Sequence, residues 1–299
     1  MRFVRYVAPL LGIGLALLSI ASDADVERKT LGADPHGQVD IVNVSGTVQV
    51  RGWNKPEVEV SVELDASQKL EFTNDGRHTL VRIAKPGDKG GRQSGHSADL
   101  VVQVPEGSSI AVNTVSADQE IKGVRGSQRL QSVSGTIETT VWADDLQVKT
   151  ISGDIRVDGH GAPNEADIDT VSGSVVLRDI AGAVEVGSVS GDIQVRMGEL
   201  TRGRIHTTNG TVDWRSSLAP DARLEAQAIN GDLKFRLRKK VDAEFDIETF
   251  NGEIDNCFGP KAKRTREHAP GRAVRFVQGK GGARVDIKTM NGGVEICDD

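Results

Sequence analysis

The sequence is poor in cysteine, in aromatic residues and in long apolar runs. Its 299 residues include 2 cysteines, and Phe, Trp and Tyr together make up 4% of the chain. Two cysteines are too few for a small framework built on disulfides. One apolar stretch, residues 7–20, stands out, and it is shorter than the about 20 residues that a membrane-spanning helix needs. These absences exclude a disulfide-rich miniprotein and a protein with several membrane spans.

Positive charge is also scarce. The chain has 37 Lys and Arg against 43 Asp and Glu, which gives a formal net charge of −6 at pH 7. An acidic chain has no bulk attraction for nucleic acid, so no nucleic-acid partner is expected. The apolar fraction of 37% suffices for a core and excludes global disorder. The 34 glycines follow no three-residue period, which excludes collagen.

Residues 1–24 have the order of a secretory signal peptide. Arg2 and Arg5 form a positive head, an apolar stretch follows, and small residues come last. Cleavage is predicted after Ala21 or after Ala24, because a serine then stands at position −3 in either case. An uncleaved anchor is the alternative, and the short apolar stretch disfavours it. The sequence therefore predicts export to the periplasm, the cell surface or the medium, and a mature chain that does not span a membrane.

The main pattern is a repeated corner in which an apolar residue and Ser or Asn precede a glycine. The corners recur mostly every 18 to 21 residues, and a degenerate copy at 115–118 and an outlying copy at 44–48 precede them. Apolar residues alternate on both sides of each corner, which indicates two short strands. Glycine supplies the positive φ that such a corner needs. The predicted corner glycines are Gly135, Gly153, Gly173, Gly191, Gly210, Gly231, Gly252 and Gly292.

A unit of about 20 residues has room for two or three short strands and cannot bury its own apolar face. Stacked units can, so the sequence predicts an all-β solenoid of about nine short rungs over residues 111–299. The alternative is an antiparallel sandwich, which does not require the same residue types at the same offset in every strand. Ser, Asn and Thr at fixed offsets are expected to form side-chain ladders along the stack.

The residue after the corner glycine alternates between neutral and acidic. The series runs Thr136, Asp154, Ser174, Asp192, Thr211 and Asp232, and Glu253 breaks it once. Skipping a rung doubles the distance between like charges and roughly halves their repulsion. Carboxylates about 10 Å apart cannot share a calcium ion that is bound at 2.3–2.6 Å, so no metal site is predicted in this row.

The solenoid is predicted to be preceded by two segments and interrupted by one. Residues 25–39 are expected to be flexible. Residues 40–110 are expected to form an N-terminal β cap, because an open solenoid end exposes a strand edge. A basic insertion is predicted at about 258–282.

Cys257 and Cys297 lie at the same offset after their corner glycines, 40 residues apart. If the insertion is a single excursion, the two rungs are neighbours and the Cα atoms lie about 5 Å apart, within disulfide range. If a full rung intervenes, the distance is about 10 Å and no bond forms. The disulfide is favoured, because an exported protein would oxidise the pair.

Two basic stretches are candidate contacts for an anionic polymer. The alternative is a solvated edge guarded by Lys and Arg. The candidates are Lys234, Arg236, Arg238, Lys239, Lys240, Lys261, Lys263, Arg264 and Arg266.

Trp53 and Trp142 are candidate carbohydrate contacts, because each follows its corner glycine by seven residues and both therefore occupy one kind of corner. Trp214 falls at a core offset. The acidic pair Asp144 and Asp145 is the one candidate for sugar hydrolysis, which needs two carboxyl groups about 5–9 Å apart. A solvated turn is the favoured interpretation of that pair. The six histidines show no metal-ligand spacing, and there is no nucleophile elbow or phosphate loop. No catalytic residue, metal or cofactor is predicted.

These features together resemble the bacterial putative-adhesin β-solenoid family, a domain-of-unknown-function family of exported proteins. The resemblance covers about residues 38–297. It is carried by Gly52-Trp53, by the Thr-Val-Ser-Gly-x-Ile units, and by Gly281-Gly282 followed by Ile287-x-Thr289-x-Asn291-Gly292. It implies a right-handed, single-stranded β-helix in the cell envelope with no established activity. Ala117 in place of a corner glycine and the long basic insertion depart from the pattern.

The sequence therefore favours a non-enzymatic envelope protein that presents a repetitive surface, as an adhesin-like module or a scaffold. The expected partner is envelope polysaccharide or another envelope protein. One alternative is a β-helical polysaccharide-processing enzyme, which rests on analogy of fold alone. The other is a self-assembling or anionic-polymer-binding envelope module.

Overall fold

The computed structural model describes residues 26–65, 68–84, 97–238, 240–265 and 270–298. Within these ranges the chain is all-β, its strands belong to one 22-stranded sheet, and no helix is present. None of these residues accordingly lies in a helix that is long and apolar enough to cross a membrane. The predicted signal peptide, Lys239 and Arg266 lie outside the described residues.

The strands follow one another with short connections. In chain order they are β1 Val26–Gly32, β2 Gln38–Trp53, β3 Glu57–Glu63, β4 Lys69–Asn74, β5 His78–Ala84, β6 Ser97–Pro105, β7 Ser109–Lys122, β8 Gln128–Ser134, β9 Ile137–Thr140, β10 Leu146–Ser152, β11 Ile155–Asp158, β12 Pro163–Ser172, β13 Val175–Ser190, β14 Ile193–Asn209, β15 Val212–Asn230, β16 Leu233–Leu237, β17 Ala243–Asn251, β18 Ile254–Asn256, β19 Lys263–Arg264, β20 Arg272–Gln278, β21 Ala283–Asn291 and β22 Val294–Asp298.

Each repeat contributes one strand before its corner and one after it. The strands before the corners pair with one another, in parallel and in register, and we call this set the pre-corner face: Val148 of β10 lies between Leu130 of β8 and Ile168 of β12. The strands after the corners pair in the same way and form the post-corner face, where Ile155 of β11 lies opposite Ile137 of β9. This parallel pairing is the solenoid-like repeat, and it excludes the antiparallel sandwich.

The inward side chains of both faces share one core. Val, Ile and Leu alternate with exposed residues along the strands, as a half-buried strand requires. Trp214, Phe235 and Phe245 are the bulkiest fully buried side chains. Trp214 is in the core as its offset predicts, and its Nε1 donates to the Ser216 hydroxyl at 2.9 Å, so its polar edge is satisfied.

At both ends of the stack, the order of the rungs in space differs from their order in the chain. From one end to the other the rungs are residues 78–84 with 97–105, 38–53, 109–122, 128–140, 146–158, 163–178, 181–196, 200–216, 223–237, 283–298 and 243–256. Strand β2 thus lies between β5 and β7, and β21 lies between β15 and β17. The first and the last rung of the chain are each inserted one position inside an end of the stack.

The N-terminal region differs from the separate cap that the sequence predicts, because β2, β5 and β6 continue the parallel stack. Residues 85–96, between β5 and β6, lie outside the described ranges, so no corner is described for this rung. The segment 25–39, expected to be flexible, contains β1, which pairs antiparallel with β3. Its consecutive charged residues Glu27, Arg28 and Lys29 suit an edge strand.

Antiparallel strands cover both ends of the stack. At the N-terminal end β4 pairs with β5 and β3 pairs with β6, and at the C-terminal end β20 pairs with β17 and β19 pairs with β20. The outermost strands carry charge, with Lys69 and Glu71 in β4 and Lys263 and Arg264 in β19. Charged edges of this kind oppose the addition of further strands. They disfavour end-to-end assembly of the stack.

Acidic residues after the corners bind the backbone of the neighbouring rung. The Oδ1 atom of Asp118 accepts a hydrogen bond from the Thr136 amide at 2.7 Å, and Asp192 accepts one from the Thr211 amide at 2.8 Å. The same contact joins Asp99 to Thr47, Asp154 to Ser174 and Asp232 to Gly293. Each acidic residue therefore provides an acceptor for the rung beside it, which adds a second physical reason for the alternation.

In spatial order the alternation has no exception. Asp232 lies beside Gly293, and Glu253 lies in the next rung beyond Gly293. The irregularity in the sequence arises because the rung 283–298 is inserted between the other two. Corner asparagines show the same order: Asn230 donates to Asn209 at 2.9 Å, Asn291 donates to Asn230 at 2.8 Å, and Asn251 donates to Asn291 at 3.0 Å. The expected side-chain ladder is present at these four corners.

His78 and Asp40 join the two N-terminal rungs, with Nε2 2.8 Å from Oδ2. The hydrogen bond to Asp40 raises the pKa of His78, while desolvation opposes the rise. The protonated form is thus favoured in the folded state. Its stabilising effect is complete below the ordinary histidine pKa of about 6.5 and is lost as pH rises through the folded pKa.

We expect Asp40→Asn to lower the pKa of His78 in an NMR titration. It should also remove a few tenths of a kcal/mol of stability at pH 5 and almost none at pH 8, because the pair is partly solvent-exposed. An unchanged His78 titration in Asp40→Asn would contradict this assignment.

Candidate functional site

The surface carries a row of exposed apolar side chains along its corners. The residue two positions before each corner glycine points outward, and seven such residues are 45–54% exposed. In spatial order they are Val133, Ile151, Val171, Val189, Ile229, Met290 and Phe250. We call this row the apolar ladder. Successive rungs are about 4.8 Å apart, and Thr208 takes the equivalent position between Val189 and Ile229.

The sequence contains the signal for this ladder, and the sequence analysis missed it. In the strand before each corner the buried residues lie three and five positions before the glycine, as Thr170 and Ile168 do before Gly173. Strand alternation then places Val171, two positions before the glycine, on the outside. An apolar residue in an outward position of successive rungs marks a surface that favours a partner.

A groove of about 550 Å³ runs beside the middle of the apolar ladder. One side is formed by Val171, Val189, Thr208 and Ile229, and the other by Asp169, Gly187, His206 and Gln227. Thr150, Thr170, Ser188 and Thr207 also line it. The hydroxyls of these four are buried, and none has a hydrogen-bond partner among the described residues. Gly187 has no side chain, which opens the centre of the groove.

Trp53 lines a second groove, of about 580 Å³, at the N-terminal end. Its Nε1 donates to the Glu57 carbonyl at 2.8 Å, which fixes the indole, and the Lys55 Nζ lies 4.3 Å from the ring centroid. The other lining residues include Pro35, His36, Asn54, Pro56, Pro105, Glu106, Arg125 and Asp144. The groove thus combines one oriented aromatic ring with amide, carboxylate and cationic groups.

Trp142 is not an open platform, although it has the same offset as Trp53. Its ring stacks on His160 with centroids 3.8 Å apart, and the Arg125 guanidinium lies 4.9 Å from its centroid. Arg125 belongs to the rung before that of Trp142, and His160 belongs to the rung after it. The indole therefore already contacts a side chain from each neighbouring rung. Of the two tryptophans predicted to contact carbohydrate, Trp53 lines the second groove and Trp142 does not.

Asp144 and Asp145 do not face one cleft. Asp144 lines the Trp53 groove, whereas Asp145 lines a separate groove of about 450 Å³ together with Gln147 and Asp167. Two carboxyl groups in different grooves do not form the pair that sugar hydrolysis uses. Across the described ranges, no group of three or more His, Cys, Asp or Glu is placed to hold a metal ion.

The two basic stretches lie on different faces. The stretch that begins at Lys234 starts within β16, on the post-corner face. There Arg236 forms an ion pair with Glu295 at 2.5 Å, and Arg238 donates a hydrogen bond to the Met197 carbonyl. Lys263 lies in β19, at the outer edge beyond the pre-corner strand β17. The structure therefore does not merge the candidate residues that it describes into one patch.

Cys257 and Cys297 are joined by a disulfide, with their Cα atoms 4.8 Å apart. Their rungs are direct neighbours, because β22 pairs with β18. The insertion between them is a single excursion, and the later rung lies on the inner side of the earlier one.

A family model described as Toastrack DUF4097 matches residues 36–297. No curated protein matches the chain. Among solved structures, a protein of Bacteroides fragilis described as a putative adhesin has 10% identity and a TM-score of 0.41, with 91% of this chain and 97% of that chain covered. A protein of Parabacteroides distasonis described as a putative lipid-binding protein has 11% identity and a TM-score of 0.37, with 93% and 98% covered. Likeness at this level carries no argument about ligand or activity.

Proposed function

The chain belongs to the Toastrack DUF4097 family, and we propose that it is a non-enzymatic exported envelope protein, adhesin-like in action, that holds envelope polysaccharide at the Trp53 groove. Its place is the periplasm or the cell surface, and its stack winds as a right-handed, single-stranded β-helix. The Trp53 groove is the observation that carries this proposal.

The chemistry of the groove suits a sugar. An indole face packs against the C–H groups of a pyranose ring, and Asn54, Glu106, Arg125 and Asp144 supply donors and acceptors for hydroxyl groups. A volume of about 580 Å³ lies within the range of small-ligand sites. Cations and carboxylates occur together here, so the groove favours a hydroxyl-rich ligand over one recognised by negative charge alone.

We expect Trp53→Ala to weaken binding of isolated envelope polysaccharide at least tenfold in co-sedimentation, since the indole that would stack on a sugar ring is removed. The binding should persist in high salt, because stacking and hydroxyl contacts are not screened. Lys263→Ala/Arg264→Ala, at the charged edge strand, is the matched control and should bind as the parent does.

The opposite pattern would overturn the proposal. Binding that disappears in high salt and in Lys263→Ala/Arg264→Ala, but survives Trp53→Ala, would assign the protein to the anionic-polymer-binding class. Turnover of the polysaccharide by the purified protein would remove the non-enzymatic part of the proposal, and loss of turnover in Asp144→Ala would then locate the chemistry.

A further inference from the structure

The apolar ladder is large enough to be the centre of an interface. Seven side chains, each about half exposed, leave on the order of 500 Å² of apolar surface in one row, interrupted at Thr208, and patches of this size on soluble proteins are often interaction sites. A stable dimer buries about 800 Å² on each partner, with an apolar centre and a polar rim. The ladder supplies such a centre, and the polar residues on its flanks supply the rim.

Apart from Val133 at one end, which has no counterpart, the ladder is also symmetric about Thr208. Counting outward along the stack, the residues on either side pair as Val189 with Ile229, Val171 with Met290, and Ile151 with Phe250. In each pair the member on the N-terminal side is the smaller. Two copies packed antiparallel about a two-fold axis at Thr208 would therefore place each smaller side chain against a larger one. Parallel packing would place Phe250 against its own copy and leave gaps at the valines.

We propose that the partner of the apolar ladder is a second copy of this chain, in an antiparallel two-fold dimer centred on Thr208. A two-fold interface is self-complementary, and the residue on the axis meets its own copy. The groove beside the ladder gives room for this packing, because it extends from Val171 to Ile229 across the proposed axis.

In the row four positions before the corner glycines, the charges are complementary in this arrangement. The axis places Lys149 opposite Glu248 and Asp169 opposite Lys288 in this row. Gly187 comes opposite Gln227, so this row contains no pair of like charges. Six positions before the glycines, Glu185 comes opposite Glu225 and Asp167 comes opposite Asp286. Arg204 pairs with Glu185 and Glu225 at 3.4 and 3.8 Å, and Lys149 and Lys288 lie 3.9 and 3.1 Å from Asp167 and Asp286, so each of these acidic pairs has a cation beside it.

The first test is the mass of the full exported chain by sedimentation equilibrium across a concentration series. We expect a dimer that dissociates on dilution. Val171→Lys/Val189→Lys should weaken it at least 100-fold, because four lysines would enter the apolar centre. The matched control is Val176→Lys/Gln194→Lys, which changes outward positions of the same two rungs on the post-corner face and should leave the dimer intact. Circular dichroism of both variants shows whether each one folds.

The second test distinguishes antiparallel from parallel packing. The described residues contain no free cysteine, so any disulfide between copies must involve the introduced thiol. Under mild oxidation Thr208→Cys should form a disulfide between copies, because the residue meets itself on the axis. Val133→Cys, four rungs away, should not cross-link in an antiparallel dimer but would in a parallel one.

A protein that stays monomeric at all concentrations, or a Val133→Cys cross-link as efficient as that of Thr208→Cys, overturns the proposal. So does a monomer whose ladder binds lipid vesicles instead. This test does not depend on the Trp53 groove. Trp53→Ala should leave the monomer–dimer equilibrium unchanged, so the dimer proposal and the polysaccharide proposal can fail separately.

Discussion

Replacement of both cysteines, in Cys257→Ser/Cys297→Ser, is expected to lower the free energy of unfolding by about 4 kcal/mol, since the disulfide closes a loop of about 40 residues. The bond restricts the unfolded chain, because it ties together two rungs that are joined through the basic insertion. It also holds the rung 283–298 against its outer neighbour 243–256. The loss of amide protection in hydrogen exchange should therefore be largest in β17, β18, β21 and β22.

Urea unfolding of the double variant and of the parent protein, each with and without reductant, checks this expectation. Reductant should move the parent midpoint to that of the double variant and should not move the double variant further. Equal midpoints for the oxidised parent and the double variant would show that the parallel pairing alone fixes the inserted rung.

Gly191→Ala is expected to cost at least 3 kcal/mol or to prevent folding. Gly191 has φ +146°, a backbone conformation that residues with a side chain rarely adopt, and this alone costs about 1–3 kcal/mol. A Cβ atom there would also lie 2.1 Å from the carbonyl oxygen of Gly173 in the neighbouring rung. That oxygen belongs to the backbone of the stack and cannot move away without separating two rungs. The corner glycines therefore set the spacing of the stack.

Gly198→Ala is the matched control. Gly198 lies seven residues later, and a Cβ atom there would meet its nearest neighbours at 3.6 Å, an ordinary contact. The free energy of unfolding of Gly198→Ala should stay within about 0.5 kcal/mol of the parent value, as is usual for surface substitutions. Similar midpoints for the two glycine variants would contradict a special role for the corner.

The sequence predicts the repeat well, because a corner glycine and strand alternation are local constraints that recur in each unit. The order of the rungs is not local. Its one trace is Glu253 after Asp232, an irregularity that disappears when Gly293 is placed between them. In the sequence it is a single break in the alternation, since nothing in a linear repeat suggests that a later rung lies inside an earlier one.

The candidate site was predictable only in part. The common offset of Trp53 and Trp142 is visible in the sequence, but their difference depends on His160 and Arg125, which come from the rungs on either side. The Trp53 groove collects residues from five separate segments between 35 and 144. Such a set is assembled by the stack and leaves no contiguous motif.

The inserted terminal rungs bear on how the chain is made. Synthesis releases residues 243–256 before residues 283–298, yet the earlier segment lies outside the later one and depends on it for its parallel pairing. A product that stops before residue 283 would leave two strand edges, at 223–237 and 243–256, facing each other without the rung between them. Unpaired edges invite aggregation and proteolysis. Completion of the stack therefore waits for the last part of the chain, so the fold itself discriminates between finished and interrupted products.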